Sequence, residues 1–165
     1  MSQNYQNNKM NILELSSNNP QETRRLGARI GKLAAAGDIL LLTGQLGAGK
    51  TCLTQGIARG LGIEENTPSP SFVLVREFYG RLPLYHMDLY RLDNPDEIAD
   101  LGLDDYLYGG GVCVIEWAEK GLSLMPPQYM LVKIVYAGEN RRRFRFEPLG
   151  KRYIGMMDKL KTVKK

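Results

Sequence analysis

Ile39-Leu40-Leu41-Leu42-Thr43-Gly44-Gln45-Leu46-Gly47-Ala48-Gly49-Lys50-Thr51 decides the fold. Four aliphatic residues in a row read as a strand buried on both faces, the habit of a parallel sheet covered by helices on either side. The octet from Gly44 to Thr51 fills G-x-x-x-x-G-K-[ST], the phosphate-binding P-loop. Between strand and helix, its glycines let backbone N–H groups close around phosphates without Cβ clashes, and the helix N-terminus adds its positive dipole end. Gln45, Leu46, Gly47, Ala48, Gly49, Lys50, Thr51 and the following Cys52 are thus the candidate nucleotide-binding residues. Within them Lys50 supplies a point charge for the β/γ oxygens and Thr51 a hydroxyl for Mg²⁺.

Working outward, Asn19 is placed to cap a helix with Pro20 at its first position. Leu26, Ile30, Leu33 and Ala34 recur on one face of that helix before Gly37. A short strand, 11–15, is expected ahead of it. After the P-loop, Leu53, Ile57, Ala58 and Leu61 predict a second amphipathic helix closed by Gly62. Residues 72–78 and 82–87 read as a strand pair around Gly80-Arg81, followed by a helix over 95–101. Val112-Cys113-Val114-Ile115 is a second wholly apolar run, and the triplet Gly109-Gly110-Gly111 before it reads as a turn. Residues 129–136 and 141–146 flank Ala137-Gly138-Glu139-Asn140 as a C-terminal hairpin, with a terminal helix over 153–160. Strands alternating with helices around a P-loop predict a three-layer α/β P-loop NTPase fold with a mostly parallel central sheet.

The chain of 165 residues, with 43% apolar and 24% charged residues, suits one well-packed core. Residues 1–9 are polar and asparagine-rich and read as a disordered tail, 10–160 as the P-loop domain and 161–165 as a basic tail. No stretch approaches the ~20 apolar residues of a membrane span, and the N-terminus lacks a basic region followed by an apolar core, so a cytoplasmic protein without membrane contact is expected. Cys52 and Cys113 fall in a predicted helix and a buried strand, as reduced thiols do. One histidine and no cysteine cluster leave no basis for structural zinc. The net charge of +4 is uneven: residues 141–165 hold ten of the 22 Lys/Arg and two of the 18 Asp/Glu. Such a segment can meet RNA or an acidic partner. The alternation in Arg143-Phe144-Arg145-Phe146 instead puts phenylalanines in the core and arginines in water.

A P-loop nucleotidase needs a carboxylate at the end of a neighbouring strand to hold the metal or its water shell. Glu116 directly follows the buried run 112–115 and is the better metal residue on that ground. Asp88 ends a less apolar run whose Pro83 belongs on an edge strand or at a strand start. His86 reads either as a structural histidine or as a group positioning Asp88. Trp117 is either a core aromatic or a surface for nucleotide or partner. In Asn66-Thr67-Pro68-Ser69-Pro70-Ser71-Phe72, two prolines restrict a segment whose hydroxyls either reach a γ-phosphate or face water.

Five segments together resemble the TsaE family of small bacterial P-loop ATPases needed for threonylcarbamoylation of tRNA. They are Thr23-Arg24-Arg25-Leu26-Gly27, the octet, Ser69-Pro70-Ser71-Phe72, His86-Met87-Asp88-Leu89-Tyr90-Arg91-Leu92 and Ile115-Glu116-Trp117-Ala118-Glu119. The resemblance spans about Pro20 to Phe146. It implies that ATP is the nucleotide, that Thr51 and Glu116 serve Mg²⁺, that Asp88 assists hydrolysis alongside Lys50 and Glu116, and that Ser69 to Phe72 respond to the nucleotide through Ser71. Ser71 stands where the family usually has threonine, and the hydroxyl is retained. The resemblance further implies that the base or ribose is bordered by the helix start near Thr23 and by the turn before Arg141. Its implied partners are the TsaD and TsaB proteins, with tRNA contacted only through them.

Two other functions fit a P-loop of this size: a small-molecule kinase of the shikimate or nucleotide kinase type, and a nucleotide-dependent binding module without useful hydrolysis. Such kinases close an Arg-rich lid over an acceptor pocket, and no clear lid lies between Glu116 and Met130. The lack of an Asn-Lys-x-Asp motif argues against a GTPase. Arg76 and Arg91 lie near the candidate site, and spacing assigns neither of them to the transition state.

Overall fold

A computed structural model of the chain describes residues 11–66 and 74–162. The N-terminal tail, the segment from Thr67 to Phe72 with Ser71, and the last three residues of the basic tail lie outside the described residues.

The strands β1 (Leu13–Ser17), β2 (Ile39–Thr43), β3 (Val75–Tyr79), β4 (Pro83–Asp88), β5 (Val112–Glu116), β6 (Tyr129–Tyr136) and β7 (Arg142–Leu149) form one sheet in the order β1-β7-β6-β2-β5-β4-β3. The four central strands, β6-β2-β5-β4, run parallel. β7 and β3 are antiparallel to β6 and β4, and β1 is antiparallel to β7. This is the expected α/β sheet, with its parallel centre and C-terminal hairpin. Pro83 is the first residue of β4, where its missing N–H costs no interior ladder bond, and the strand lies inside the sheet rather than at its edge.

Two apolar clusters follow from the alternation of side chains along the strands. Leu40, Leu42, Val114, Val132 and Phe144 face one side, against helices α1 (Pro20–Leu33), α2 (Lys50–Gly60) and α5 (Lys151–Thr162). Ile39, Leu41, Cys113 and Ile115 face the other, against Ile98 and Leu107 from the short helices α3 (Pro95–Ala99) and α4 (Asp104–Leu107). The 3₁₀ segment Ala118–Leu124 also packs there through Ala118. Phe144 and Phe146 are fully buried while Arg143 and Arg145 are exposed, as their alternation predicts.

α1 begins as expected: the Asn19 side chain accepts from the Glu22 amide at 2.8 Å, and the Glu22 carboxylate reaches back to the Asn18 amide at 2.7 Å. It ends at Leu33, four residues before Gly37. Its packing on α2 is backbone against backbone. A Cβ on Gly27 would lie 2.3 Å from Leu53 O and one on Gly31 2.2 Å from Ile57 O; reciprocally, one on Gly56 would lie 2.2 Å from Arg24 O and one on Gly60 2.2 Å from Ala28 O. Two Gly-x-x-x-Gly spacings, one per helix, therefore bring α2 close to α1. α5 is tied to the start of β2: the Ile39 amide donates to Tyr153 Oη at 2.9 Å, and Arg152 donates to the buried Asp38 carboxylate through Nη2 at 2.8 Å and Nε at 3.0 Å.

Sequence patterning misplaced several ends. The first strand begins two residues later than expected, β7 runs to Leu149 through Pro148, and the helix over 95–101 is shorter. α4 and the 3₁₀ segment are too short to show periodicity.

Candidate functional site

The chain leaves β2 at Thr43, turns through Gly44 to Gly49 and enters α2 at Lys50. Gly49 caps α2 with φ 114°, a left-handed backbone closed to most side chains, and a Cβ there would meet nothing within 4 Å because it would point into open space. At Gly44 the reason is contact: a Cβ would lie 2.6 Å from Ile134 O of β6. The first amides of α2 have no acceptor within the helix and carry its positive dipole end toward the same space.

That space is a cavity of about 470 Å³. The P-loop side supplies Leu46, Gly47, Gly49, Lys50, Thr51 and Cys52; the opposite wall is Asp88, Tyr90, Arg91, Glu116 and Trp117. Parallel pairing of β4 with β5 sets Asp88 directly opposite Glu116 at the carboxyl ends of the two strands. Both carboxylates are buried. Thr51 Oγ1 donates to Glu116 Oε1 at 2.9 Å, so the two residues read as a pair from the sequence touch. Glu116 Oε2 faces Nε2 of the fully buried His86, which donates because a carboxylate only accepts. His86 Nδ1 has no hydrogen-bond partner among the described residues. His86 thus fixes the rotamer of Glu116, and its hydrogen bond goes there rather than to Asp88. Asp88 Oδ1 accepts from the Tyr90 amide at 2.9 Å.

Lys50 is almost wholly buried. Its Nζ donates to Gly44 O at 2.5 Å and Gln45 O at 2.9 Å and lies 4.1 Å from the centre of the Trp117 ring. Burial pushes its ammonium below the usual 10.5, against the opposing pull of Glu116, Glu119 and Asp88. Trp117 holds the only positive φ of a non-glycine among the described residues, 57°, and its ring lies 4.9 Å from that of Tyr90. A strained backbone beside the phosphate loop keeps this indole on the cavity wall. Lys120 braces the Tyr90 segment by donating to Leu92 O at 3.0 Å and to Tyr90 O.

The remaining candidates lie apart. Thr23 is buried, its hydroxyl 2.7 Å from that of Ser17, and is not on the cavity wall. Arg141 also lies off it, donating to Asn18 Oδ1 at 3.1 Å. The neighbourhood is nevertheless shared, since Cys52 Sγ lies 3.5 Å from Pro20 O at the start of α1. Ala48 is fully buried, and Gln45 is exposed and lines an adjoining cavity that shares Leu46 and Trp117 with this one. Arg91 lines the cavity and Arg76 does not. Sequence reading gave His86 no role at Glu116, and its place two residues before Asp88 on one strand face was the available signal. Among the described residues no group of three or more His, Cys, Asp or Glu gathers to hold a metal unaided.

A profile of the family described as "Threonylcarbamoyl adenosine biosynthesis protein TsaE" matches residues 17–144. The chain belongs to the TsaE family. The match starts at the last residue of β1 and takes in both glycine-spaced helices, the P-loop, and β4 and β5 with their carboxylates. Among its relatives, the "tRNA threonylcarbamoyladenosine biosynthesis protein TsaE" of Bacillus subtilis is 42% identical over 152 residues, 92% of this chain and 95% of that protein. The protein of the same name from Treponema pallidum is 44% identical over 126 residues, 76% of this chain and 93% of that one. The crystal structure of YdiB from Bacillus subtilis superposes with a TM-score of 0.80 at 38% identity, covering 91% of this chain and 94% of that one. Both Bacillus subtilis likenesses cover more of the chain than the profile's 17–144 does.

Proposed function

We propose that this TsaE-family chain is a Mg²⁺-dependent ATPase of tRNA N6-threonylcarbamoyladenosine formation, acting on the TsaD–TsaB complex in the cytoplasm. The observation that carries the reading is the contact between Thr51 and Glu116 at the mouth of a P-loop, with Asp88 next to it in register. The relatives' names supply the pathway, and the protein partnership is an extension of it.

The donor set suits the metal. A hydroxyl and a carboxylate oxygen are hard ligands, and Mg²⁺ ordinarily takes one or two protein oxygens while phosphate and water complete its shell. Bound there, the ion would supply positive charge to offset that developing on the phosphates. Thr51 and Glu116 would hold it or its water shell. The amides from Gly47 to Cys52 cradle phosphate oxygens, and Lys50 turns from the Gly44 and Gln45 carbonyls to them. Asp88, on the opposite wall, would orient a nucleophile and take its proton. His86 keeps Glu116 pointed at Thr51.

The kinase alternative is weaker on this structure. Its lid would come from the segment between β5 and β6, which contains no arginine and is pinned by Ala118 in the core and Lys120 on the Leu92 carbonyl. Among the described residues no helix is long and apolar enough to cross a membrane. Following Mg·ATP with the purified chain separates the readings. ADP with inorganic phosphate supports the ATPase; ADP with a phosphorylated metabolite supports a kinase, and bound but unchanged ATP a binding module.

A further inference from the structure

The outer side of the P-loop is held by the hairpin at the C-terminal end of the sheet. Tyr136, the last residue of β6, and Arg142, the first of β7, are paired across that hairpin. Tyr136 Oη donates to Leu46 O at 2.9 Å, and Arg142 Nε donates to Ala48 O at 3.0 Å. The guanidinium lies 4.3 Å from the centre of the Tyr136 ring, so each side chain supports the other. Arg142 Nη1 also donates to Arg141 O at 2.9 Å and Glu139 O at 3.2 Å, ordering the turn from which it projects. A Cβ on Gly47 would lie 2.6 Å from Tyr136 Oη, which shows how closely the phenol sits against the loop.

We infer that Tyr136 and Arg142 are positioning residues for nucleotide binding, setting the peptide planes of the phosphate loop from behind. A peptide unit is planar, so a donor that fixes a carbonyl on the outer side aims the following amide the opposite way. Leu46 O precedes the amide of Gly47, and Ala48 O that of Gly49; both glycines line the cavity. Two carbonyls held outward thus leave two N–H groups directed inward before any ligand arrives, lowering the ordering cost of binding. Neither side chain lines the cavity, and neither belongs to the octet. The inference rests on the P-loop being the phosphate site.

The test is the affinity of full-length wild type, Tyr136→Phe and Arg142→Met for Mg·ATP and for Mg·ADP by calorimetry, with thermal unfolding of each without nucleotide. Tyr136→Phe removes one oxygen from a half-exposed ring, and Arg142→Lys serves as the conservative variant. One net hydrogen bond corresponds to about 3–10-fold in affinity. We expect each loss variant to weaken ATP and ADP by a similar factor in that range, Arg142→Lys to recover part of it, and the ligand-free unfolding midpoint of Tyr136→Phe to stay within about 2 °C of wild type. Unchanged affinities, a loss confined to ATP, or a loss matched by a large fall in the ligand-free midpoint would each overturn the inference. Wild type that binds neither nucleotide would instead remove the phosphate-site reading beneath it.

Discussion

Asp88 and Glu116 stand opposite one another across β4 and β5, two buried carboxylates at the ends of adjacent parallel strands. Their hydrogen bonds divide them. Glu116 is bound to the Thr51 hydroxyl and to His86, and Asp88 accepts from the Tyr90 amide. Glu116→Ala should weaken the Mg²⁺ dependence of nucleotide binding, whereas Asp88→Asn should leave binding within about threefold and slow hydrolysis by two orders of magnitude or more. Mg²⁺ titrations and turnover rates on both variants decide it, and the opposite pattern would exchange the two roles.

Lys50→Ala should weaken Mg·ATP binding by about 10–100-fold, the scale of a charged hydrogen bond lost in a dry site. Lys50→Arg should recover little, because a planar fork does not fit where a point charge does. Calorimetric titration measures both. An unchanged affinity would show that the octet is not the phosphate site.

Gly31→Ala should destabilise the fold by roughly 1–3 kcal/mol, since its Cβ would lie 2.2 Å from Ile57 O and two helix backbones must part to admit it. Gly155, also in a helix, has nothing within 4 Å of a Cβ. Gly155→Ala should be neutral or stabilising by up to about 1 kcal/mol. Thermal unfolding of the two variants tests whether close approach, rather than glycine itself, is what matters.

The two thiols should differ in reactivity. Burial pushes Cys113 up to about 12, and it raises Cys52 as well while Arg24 and Arg142 pull the other way. In the native protein at pH 7–8 a maleimide should leave Cys113 unmodified and label Cys52 slowly. Because Cys52 lines the cavity, Mg·ATP should slow that labelling further. Mass spectrometry with and without nucleotide provides the measurement, and labelling of Cys52 indifferent to nucleotide would place the ligand elsewhere.

The parallel centre of the sheet was legible because Leu40 to Leu42 and Val112 to Ile115 are apolar on both faces, and the P-loop because glycine and lysine spacing is chemistry specific to phosphate. The pairing of Thr51 with Glu116 came from the family resemblance together with the strand-end position of Glu116. The contact itself joins residues 65 apart in the chain, the first turn of α2 and the end of β5, and no local pattern reveals it. His86 was ambiguous for the same reason: its partner is 30 residues away on the next strand. Tyr136 and Arg142 act through backbone carbonyls, which carry no residue identity, so nothing in their spacing to the octet marks them.

Among the described residues Lys50 and Arg91 are the cations on the cavity wall, and the P-loop motif assigns only Lys50 to the phosphates. P-loop enzymes that lack a placed arginine hydrolyse slowly until a partner supplies or orders one, an effect of roughly 10³–10⁵ in the strongest cases. The most direct measurement is therefore phosphate release from Mg·ATP by the purified chain, alone and with saturating TsaD–TsaB complex. The account predicts slow turnover alone and at least about tenfold stimulation by the complex, abolished by Asp88→Asn. Equal rates with and without the complex would contradict it, leaving a self-sufficient enzyme in place of a partner-driven one.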